Sequence, residues 1–261
     1  AHASSYATLG NITRKMSDIS SAIALSEKAL RLDKNMLSAY STLFFSLLHD
    51  HQRSAAAIFA THAQFGDRLE ATREYACYQH TVAAHEKDKL RIGFVSGDMR
   101  EHALSRFIKP ILSGLCRDHF EVFAYSNHPV EDAVSDQIKC TVTQWHNIFE
   151  LTDVACAKKI KEDNVDILID LSGHTDYDRL AVFMYKPAPV QMSWMGYPGT
   201  TGLRTIDYYI LDACLAPPGR MDDQFVEKLI RLPVSAPFLP YEACPDINPL
   251  PFKTKKHLTF A

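Results

Sequence analysis

The stretch "LRIGFVSGDMREHALSRF", residues 90–107, ends an apolar run in a polar turn that carries Asp98 and, four positions on, His102. A positioned imidazole can accept or orient a hydroxyl proton, and a carboxylate can support the ring or take that proton through water. Two further segments have the same polar character. "SGHTDYD" (172–178) brings His174 and Asp176, and "MGYPGTTG" (195–202) brings Gly196, Pro198, Gly199 and Gly202. Each has a plainer reading. Asp98 can cap a turn, His102 stands where an imidazole can satisfy the orphan N–H groups of a following helix, His174 can decorate a surface loop, and the glycines with Pro198 can serve only as turn chemistry. The sequence holds no P-loop, no GxGxxG and no GxSxG, so a phosphate cradle and an acyl-transfer serine have no support.

These segments are candidates for one site because of the elements that must carry them. From Leu90 onward, strand-like and helix-like stretches alternate. Strands are expected at 90–96, 120–126, 143–148, 165–171, 189–194 and 207–211, with helices near 104–115, 131–139, 152–163 and 178–185. Residues 90–95 and 165–171 are nearly all apolar, as in parallel strands covered on both faces. The alternation predicts an α/β fold with a Rossmann-like, doubly wound parallel sheet. Ligands of such sheets collect beyond the carboxyl ends of the strands where the strand order reverses, between the first and fourth strands. All three polar segments leave strand ends there.

The two ends of the chain read differently. Residues 3–36 carry a tetratricopeptide-like pattern: Tyr6, Leu9 and Gly10, then the small residues Ala22 and Ala29 where two helices touch. Tyr40 and Leu43 begin a second, divergent repeat with Phe44 where glycine is expected. One or two helices fill 54–79, and "HEKDK" (85–89) reads as a linker. We therefore divide the chain into a helical segment, 1–85, and a sheet domain, 86–261, and expect the first to pack on the second through residues 38–65. A solenoid needs about three repeats to bury its faces, so one repeat and a fragment must lean on something else. A generic helical hairpin is the alternative. Beyond residue 212 the order weakens into Pro-rich loops, with a short strand expected at "EKLIRLP" and the start of another at "KKHLTFA".

Composition excludes several classes. The chain has 261 residues, 46% apolar and 23% charged, with a formal charge of −3, which does not suggest a nucleic-acid binder. No apolar run is long enough to span a membrane, and the first ten residues lack the charged and apolar regions of a signal peptide. Six cysteines at 77, 116, 140, 156, 214 and 244 show neither CxxC nor zinc-finger spacing, and none of the 12 histidines falls in an HExxH pattern. They read as reduced thiols of a cytoplasmic protein, with Cys116 and Cys156 expected in helix faces as small buried apolar groups.

Four phrases, "LRIGFVSGDMREH", "VDILIDLSGHT", "KPAPVQMSWMGYPGTTG" and "DYYILD", resemble in order and spacing the amino-terminal catalytic lobe of the protein O-GlcNAc transferases, the bacterial members in particular. The preceding repeat fits as well. The resemblance implies one lobe of a two-lobe, inverting GT-B glycosyltransferase. Such an enzyme moves N-acetylglucosamine from UDP-GlcNAc, its donor substrate, to Ser or Thr hydroxyls of an acceptor protein or peptide, with no metal and no further cofactor. It implies Asp98 and His102 as the catalytic pair, with the base left open between them. It implies Trp194, Met195, Gly196, Tyr197, Pro198, Gly199 and Thr200 as the segment that contacts the sugar, and His174 joins them as a substrate-binding candidate. Two departures stand out. Many relatives have proline after the histidine, whereas this chain has Ala103. The carboxy-terminal lobe, which in the family holds most of the nucleotide, is expected as a partner, and without it this portion should not catalyse. A non-catalytic interaction scaffold, and a related transferase with another sugar or an Asn acceptor, remain as alternatives.

Overall fold

The computed structural model describes residues 2–71, 77–80, 88–238, 246 and 248–258. Four helices come first: α1 (Ala3–Lys15), α2 (Ile19–Leu32), α3 (Leu37–Leu47) and α4 (Ala55–Ala71). Ala22 and Ala29 are fully buried, as the repeat pattern requires of the residues at which paired helices touch. The alternating part then supplies β1 (Leu90–Ser96), α5 (Ala103–Gly114), β2 (Phe120–Ser126), α6 (Ala133–Lys139), β3 (Gln144–Asn147), α7 (Asp153–Glu162), β4 (Ile167–Asp170), α8 (Leu180–Met184), β5 (Val190–Trp194), β6 (Tyr208–Asp212) and β7 (Lys228–Leu232). A short helix, α9 (Pro251–Lys255), lies beyond.

The seven strands form one parallel sheet in the order β3-β2-β1-β4-β5-β6-β7. Strand order reverses between β1 and β4, whose register sets Val95 beside Asp170. Side chains alternate between two cores with the period of two that a strand imposes. Phe94, Val122, Ala124 and Ile169 face a core closed by Ile108 and Leu112 of α5 and Ile138 of α6. Val95, Phe123, Tyr125 and Leu168 face the other, closed by Cys156 and Ile160 of α7 and Val182 and Phe183 of α8.

That second core does not stop at the sheet domain. Tyr40, Leu43, Phe44 and Leu47 of α3 and Phe65 and Leu69 of α4 belong to it, together with Tyr197, Leu203 and Ile206. The helical segment thus packs on the sheet domain through the region expected. Phe44, the residue that breaks the repeat pattern, is the reason it can. Its ring stacks on His62 at 4.1 Å between centroids and meets His174 edge-on at 4.5 Å. A glycine there would remove both ring contacts from the docking face.

The backbones also meet directly. A Cβ on Gly66 of α4 would overlap the Gly202 carbonyl, and one on Gly202 would overlap the His62 carbonyl. Gly202 also has φ +78°, a left-handed conformation that only glycine adopts without cost.

Two expectations are corrected. The strand anticipated from Lys255 does not begin there, because α9 ends at Lys255 and Lys256 is left-handed with φ +59°, which stops an extended run; residues 259–261 lie outside the described residues. Cys116 is exposed because it falls after the end of α5, whereas Cys156 is buried in α7 as expected. The boundary at 85/86, residues 72–76 of the predicted helical stretch 54–79, and Cys244 lie outside the described residues.

Two alanine substitutions test the docking. Gly114→Ala, at the end of α5 with open space around it, should stabilise by about 0.5–1 kcal/mol through helix propensity. Gly66→Ala gains the same propensity but should destabilise by about 1–3 kcal/mol or more, because the Gly202 backbone must move. Denaturant midpoints read both; a stabilised Gly66→Ala would contradict the packing.

Candidate active site

A cavity of about 710 Å³ opens at the carboxyl edge of the sheet, over the reversal between β1 and β4. Three loops reach it, and each is fastened by a specific group. The loop after β1 starts at Ser96, whose Oγ accepts the Asp98 N–H at 2.9 Å. His102 caps α5: its backbone is extended and its Nδ1 accepts the Leu104 N–H at 3.3 Å. The cap is thus the imidazole, and Asp98 is left free for other work. The loop after β4 is tied by the fully buried Asp170, which accepts the Ser172 and Gly173 N–H groups at 3.1 and 2.9 Å and the Ser193 hydroxyl at 2.8 Å. Burial pushes the Asp170 carboxyl up to about 6. The loop after β5 is tied by buried Glu227, which accepts from the Thr200 hydroxyl at 2.6 Å, the Thr201 N–H at 2.8 Å and the Thr201 hydroxyl.

Asp98 and His102 both line the cavity, with His102 Nδ1 3.7 Å from Asp98 Oδ2 and an Arg100 nitrogen 3.6 Å from Oδ1. Burial raises the Asp98 carboxyl above its usual range, and the charges of His102, Arg100 and His128 pull part of that back. The cap bond needs the lone pair of Nδ1. The neutral His102 ring therefore carries its proton on Nε2 and presents a donor. Ala103 is the first residue of α5, after an extended His102. Both conformations suit a proline at 103, so alanine here preserves the geometry that a proline would fix.

The segment after β5 divides. Trp194, Met195, Gly196 and Pro198 line the cavity, and a Cβ on Gly196 would overlap the Leu171 carbonyl, so the chain can turn here only with glycine. Tyr197, Gly199 and Thr200, expected beside them, do not line it. Tyr197 points the other way, into the docking core, where its hydroxyl lies between His62 Nε2 at 2.7 Å and the Phe44 carbonyl at 3.1 Å. Thr200 spends its hydroxyl on Glu227. Gly199 carries the chain past the Tyr197 ring. His174 reaches the cavity wall but is 1% exposed, and its Nε2–H donates to the Thr201 carbonyl at 2.8 Å. Its ring packs among Phe44, His62, Phe65 and Tyr197. It shapes the wall more than it offers a polar group.

Three contributions have no counterpart in the sequence pattern. Arg14, Lys15, Ser41 and Phe45 of the helical segment form one wall. His128, after β2, joins the rim. The tail reaches back as well: the Trp194 indole N–H donates to the Ser235 carbonyl at 2.8 Å, and Ser235 is held by Asp212 at the end of β6. These residues lie far from the loops in sequence, and no local pattern links them. Among the described residues no group of three His, Cys, Asp or Glu side chains could hold a metal ion, and no helix is long and apolar enough to cross a membrane.

Known proteins resemble this chain over most of its length. The profile of Glycosyl transferase family 41 matches residues 22–239. A rice protein described as a probable UDP-N-acetylglucosamine–peptide N-acetylglucosaminyltransferase SPINDLY is 34% identical over 229 residues, covering 86% of this chain and 24% of its own. A protein of the same description from Arabidopsis thaliana is 36% identical over 200 residues, covering 74% of this chain and 21% of its own. A solved structure of a mutant O-GlcNAc transferase from Thermobaculum terrenum superposes with a TM-score of 0.88 at 31% identity, covering 95% of this chain and 48% of that one. The chain thus spans between a fifth and a quarter of the length of these relatives and about half of the solved chain.

The buried histidines make a pH prediction. Burial lowers His62 to about 4 and takes His174 well below its ordinary value. An unfolded imidazole protonates near 6.5, so acid favours the unfolded chain. The stability contributed by these rings is complete above about pH 6.5 and is lost as pH falls towards 4. Asp170 and Asp178, raised to about 6 and 7, act in the opposite sense, so the test is a difference. The stability gap between wild type and His62→Gln should narrow by about 2 kcal/mol between pH 7.5 and 5. A gap independent of pH would mean that His62 is not held neutral.

Proposed function

The chain belongs to glycosyl transferase family 41, and on that premise we propose that it is the amino-terminal catalytic lobe, with its docked helical segment, of an inverting protein O-GlcNAc transferase. The donor is UDP-GlcNAc and the acceptor a Ser or Thr hydroxyl of a protein. A carboxy-terminal lobe holds the nucleotide from the opposite side of the cleft, and no metal or further cofactor takes part. The reaction takes place in the cytoplasm. The observation that carries the reading is the meeting of Asp98, His102 and the Trp194–Gly196 turn on one cavity at the switch point of the sheet.

In this reading the acceptor oxygen attacks the anomeric carbon of the sugar from the face opposite the departing UDP. The C–O bond to the sugar forms as the bond to the diphosphate breaks. The hydroxyl proton must leave as that bond forms. His102 offers Nε2–H as a donor while its Nδ1 caps α5, so it orients oxygen rather than removing the proton. Asp98 is left to take the proton, directly or through one water. Its raised pKa supports that task, because a base tuned towards the working pH accepts a proton with a stronger driving force. Met195 and Gly196 hold the sugar against the cavity wall and exclude water. Met195 is left-handed, with φ +68°, in the turn that brings it there.

The test is transfer from UDP-GlcNAc, with UDP-glucose as the comparison donor, by the enzyme completed with its second lobe. Asp98→Asn should lower kcat by about 10²–10⁴-fold. His102→Ala should lower it as well, and Ala103→Pro should leave it near wild type. Undiminished transfer by Asp98→Asn would remove it as the proton acceptor. A wild type inactive on every Ser or Thr acceptor would favour the interaction scaffold.

A further inference from the structure

Arg14 and Lys15 end α1, where cations commonly do no more than complement the helix dipole. Arg14 is built differently. Its side chain is only 14% exposed although it lines the cavity. Its Nε and one terminal nitrogen donate to Asn11 Oδ1 at 3.2 and 2.8 Å, and its Cζ lies over the Phe45 ring, 4.8 Å from the centroid. The group is fixed before any ligand arrives, so binding a ligand costs it little rotamer entropy. Lys15 stands beside it, 59% exposed.

The pair already holds one carboxylate. Asp176, on the loop after β4, gives Oδ1 to Arg14 and Oδ2 to Lys15, each at 3.2 Å. It is 49% exposed, and the residue after it, Tyr177, is in the left-handed region with φ +62°. The cavity lining carries three permanent cations, Arg14, Lys15 and Arg100, against two carboxylates, Asp98 and Asp176, in a chain whose formal charge is −3. The local sign is opposite to that of the whole.

The geometry points to Arg14 and Lys15 as an anion subsite that takes a side-chain carboxylate of the acceptor polypeptide, an Asp or Glu within a few residues of the modified Ser or Thr. This inference rests on the transferase reading above. Asp176 is the internal occupant that such a carboxylate replaces, and its two-point hold displays the ligand geometry. The subsite and the Asp98–His102 pair share one cavity, so an acceptor chain can engage both. The diphosphate of the donor is the other anion that could seek these cations, and the experiment separates the two sources.

Matched Ser-containing peptides, differing only in Glu or Gln three residues from the Ser, are titrated against the 261-residue chain. The same peptides, and UDP-GlcNAc, are used for KM measurements with the completed enzyme. The Glu peptide should bind about 5-fold more tightly, the scale of a partly exposed ion pair, and the preference should shrink with added salt. Lys15→Gln, on an exposed side chain that does not threaten folding, should reduce the preference, and Arg14→Gln with Lys15→Gln should abolish it. Asp176→Asn should enlarge it, which mere fastening of the loop by Asp176 would not do. Equal binding of the two peptides by wild type overturns the proposal. So does a Lys15→Gln enzyme whose KM rises for UDP-GlcNAc and not for the peptide, since the pair would then serve the diphosphate. Transfer to both peptides without preference sinks the subsite alone; a Glu preference in binding with no transfer to any acceptor sinks the transferase reading alone.

Discussion

The backbone of α4 runs so close to the loop after β5 that neither Gly66 nor Gly202 has room for a side chain. Much else follows from that approach. It sets His62 against Tyr197, whose hydroxyl is then shared between His62 and the Phe44 carbonyl inside the protein. It brings Phe44 onto the rings of His62 and His174. An imidazole with so little water around it stays neutral, and its hydrogen bonds must be met within the protein. Those bonds specify how the helical segment sits on the sheet.

The cavity inherits its shape from this docking. One side of the β5 loop, Trp194 to Gly196, faces the cavity, while Tyr197 and Thr200 are committed to the structure behind it. One short segment therefore serves two purposes, lining the cavity and attaching the helices. The helical segment in turn supplies a wall with Arg14, Ser41 and Phe45. The half-buried Asp178, close to that wall, accepts the Ser41 hydroxyl at 2.8 Å, and burial raises it to about 7. Helices and sheet together enclose one cavity.

The strands were legible because each is a short apolar run with polar breaks, and parallel pairing buries both faces. The polar turn at 96–102 was legible as a candidate because it leaves a strand end where the sheet order reverses, and Asp98 and His102 do meet on the cavity there. The roles of Tyr197, Gly199 and Thr200 were not, because motif membership does not tell which way a side chain points. Nor was the helical wall. Arg14 and Asp176 are 162 residues apart, and the docking that brings their elements together, with its Gly66–Gly202 approach, is invisible in either segment alone. Phe44 read as a defect in the repeat until the sheet domain appeared beside it.

Native-state hydrogen exchange of the buried amides in α3 and α4, compared with those of β1 and β4, tests most directly whether the helices and sheet are one cooperative body. If they are, the most protected amides of both sets open with the same free energy and the same denaturant dependence. Opening of α3 and α4 at a free energy several kcal/mol below that of the sheet would contradict the account, for the cavity wall would then be a separable attachment.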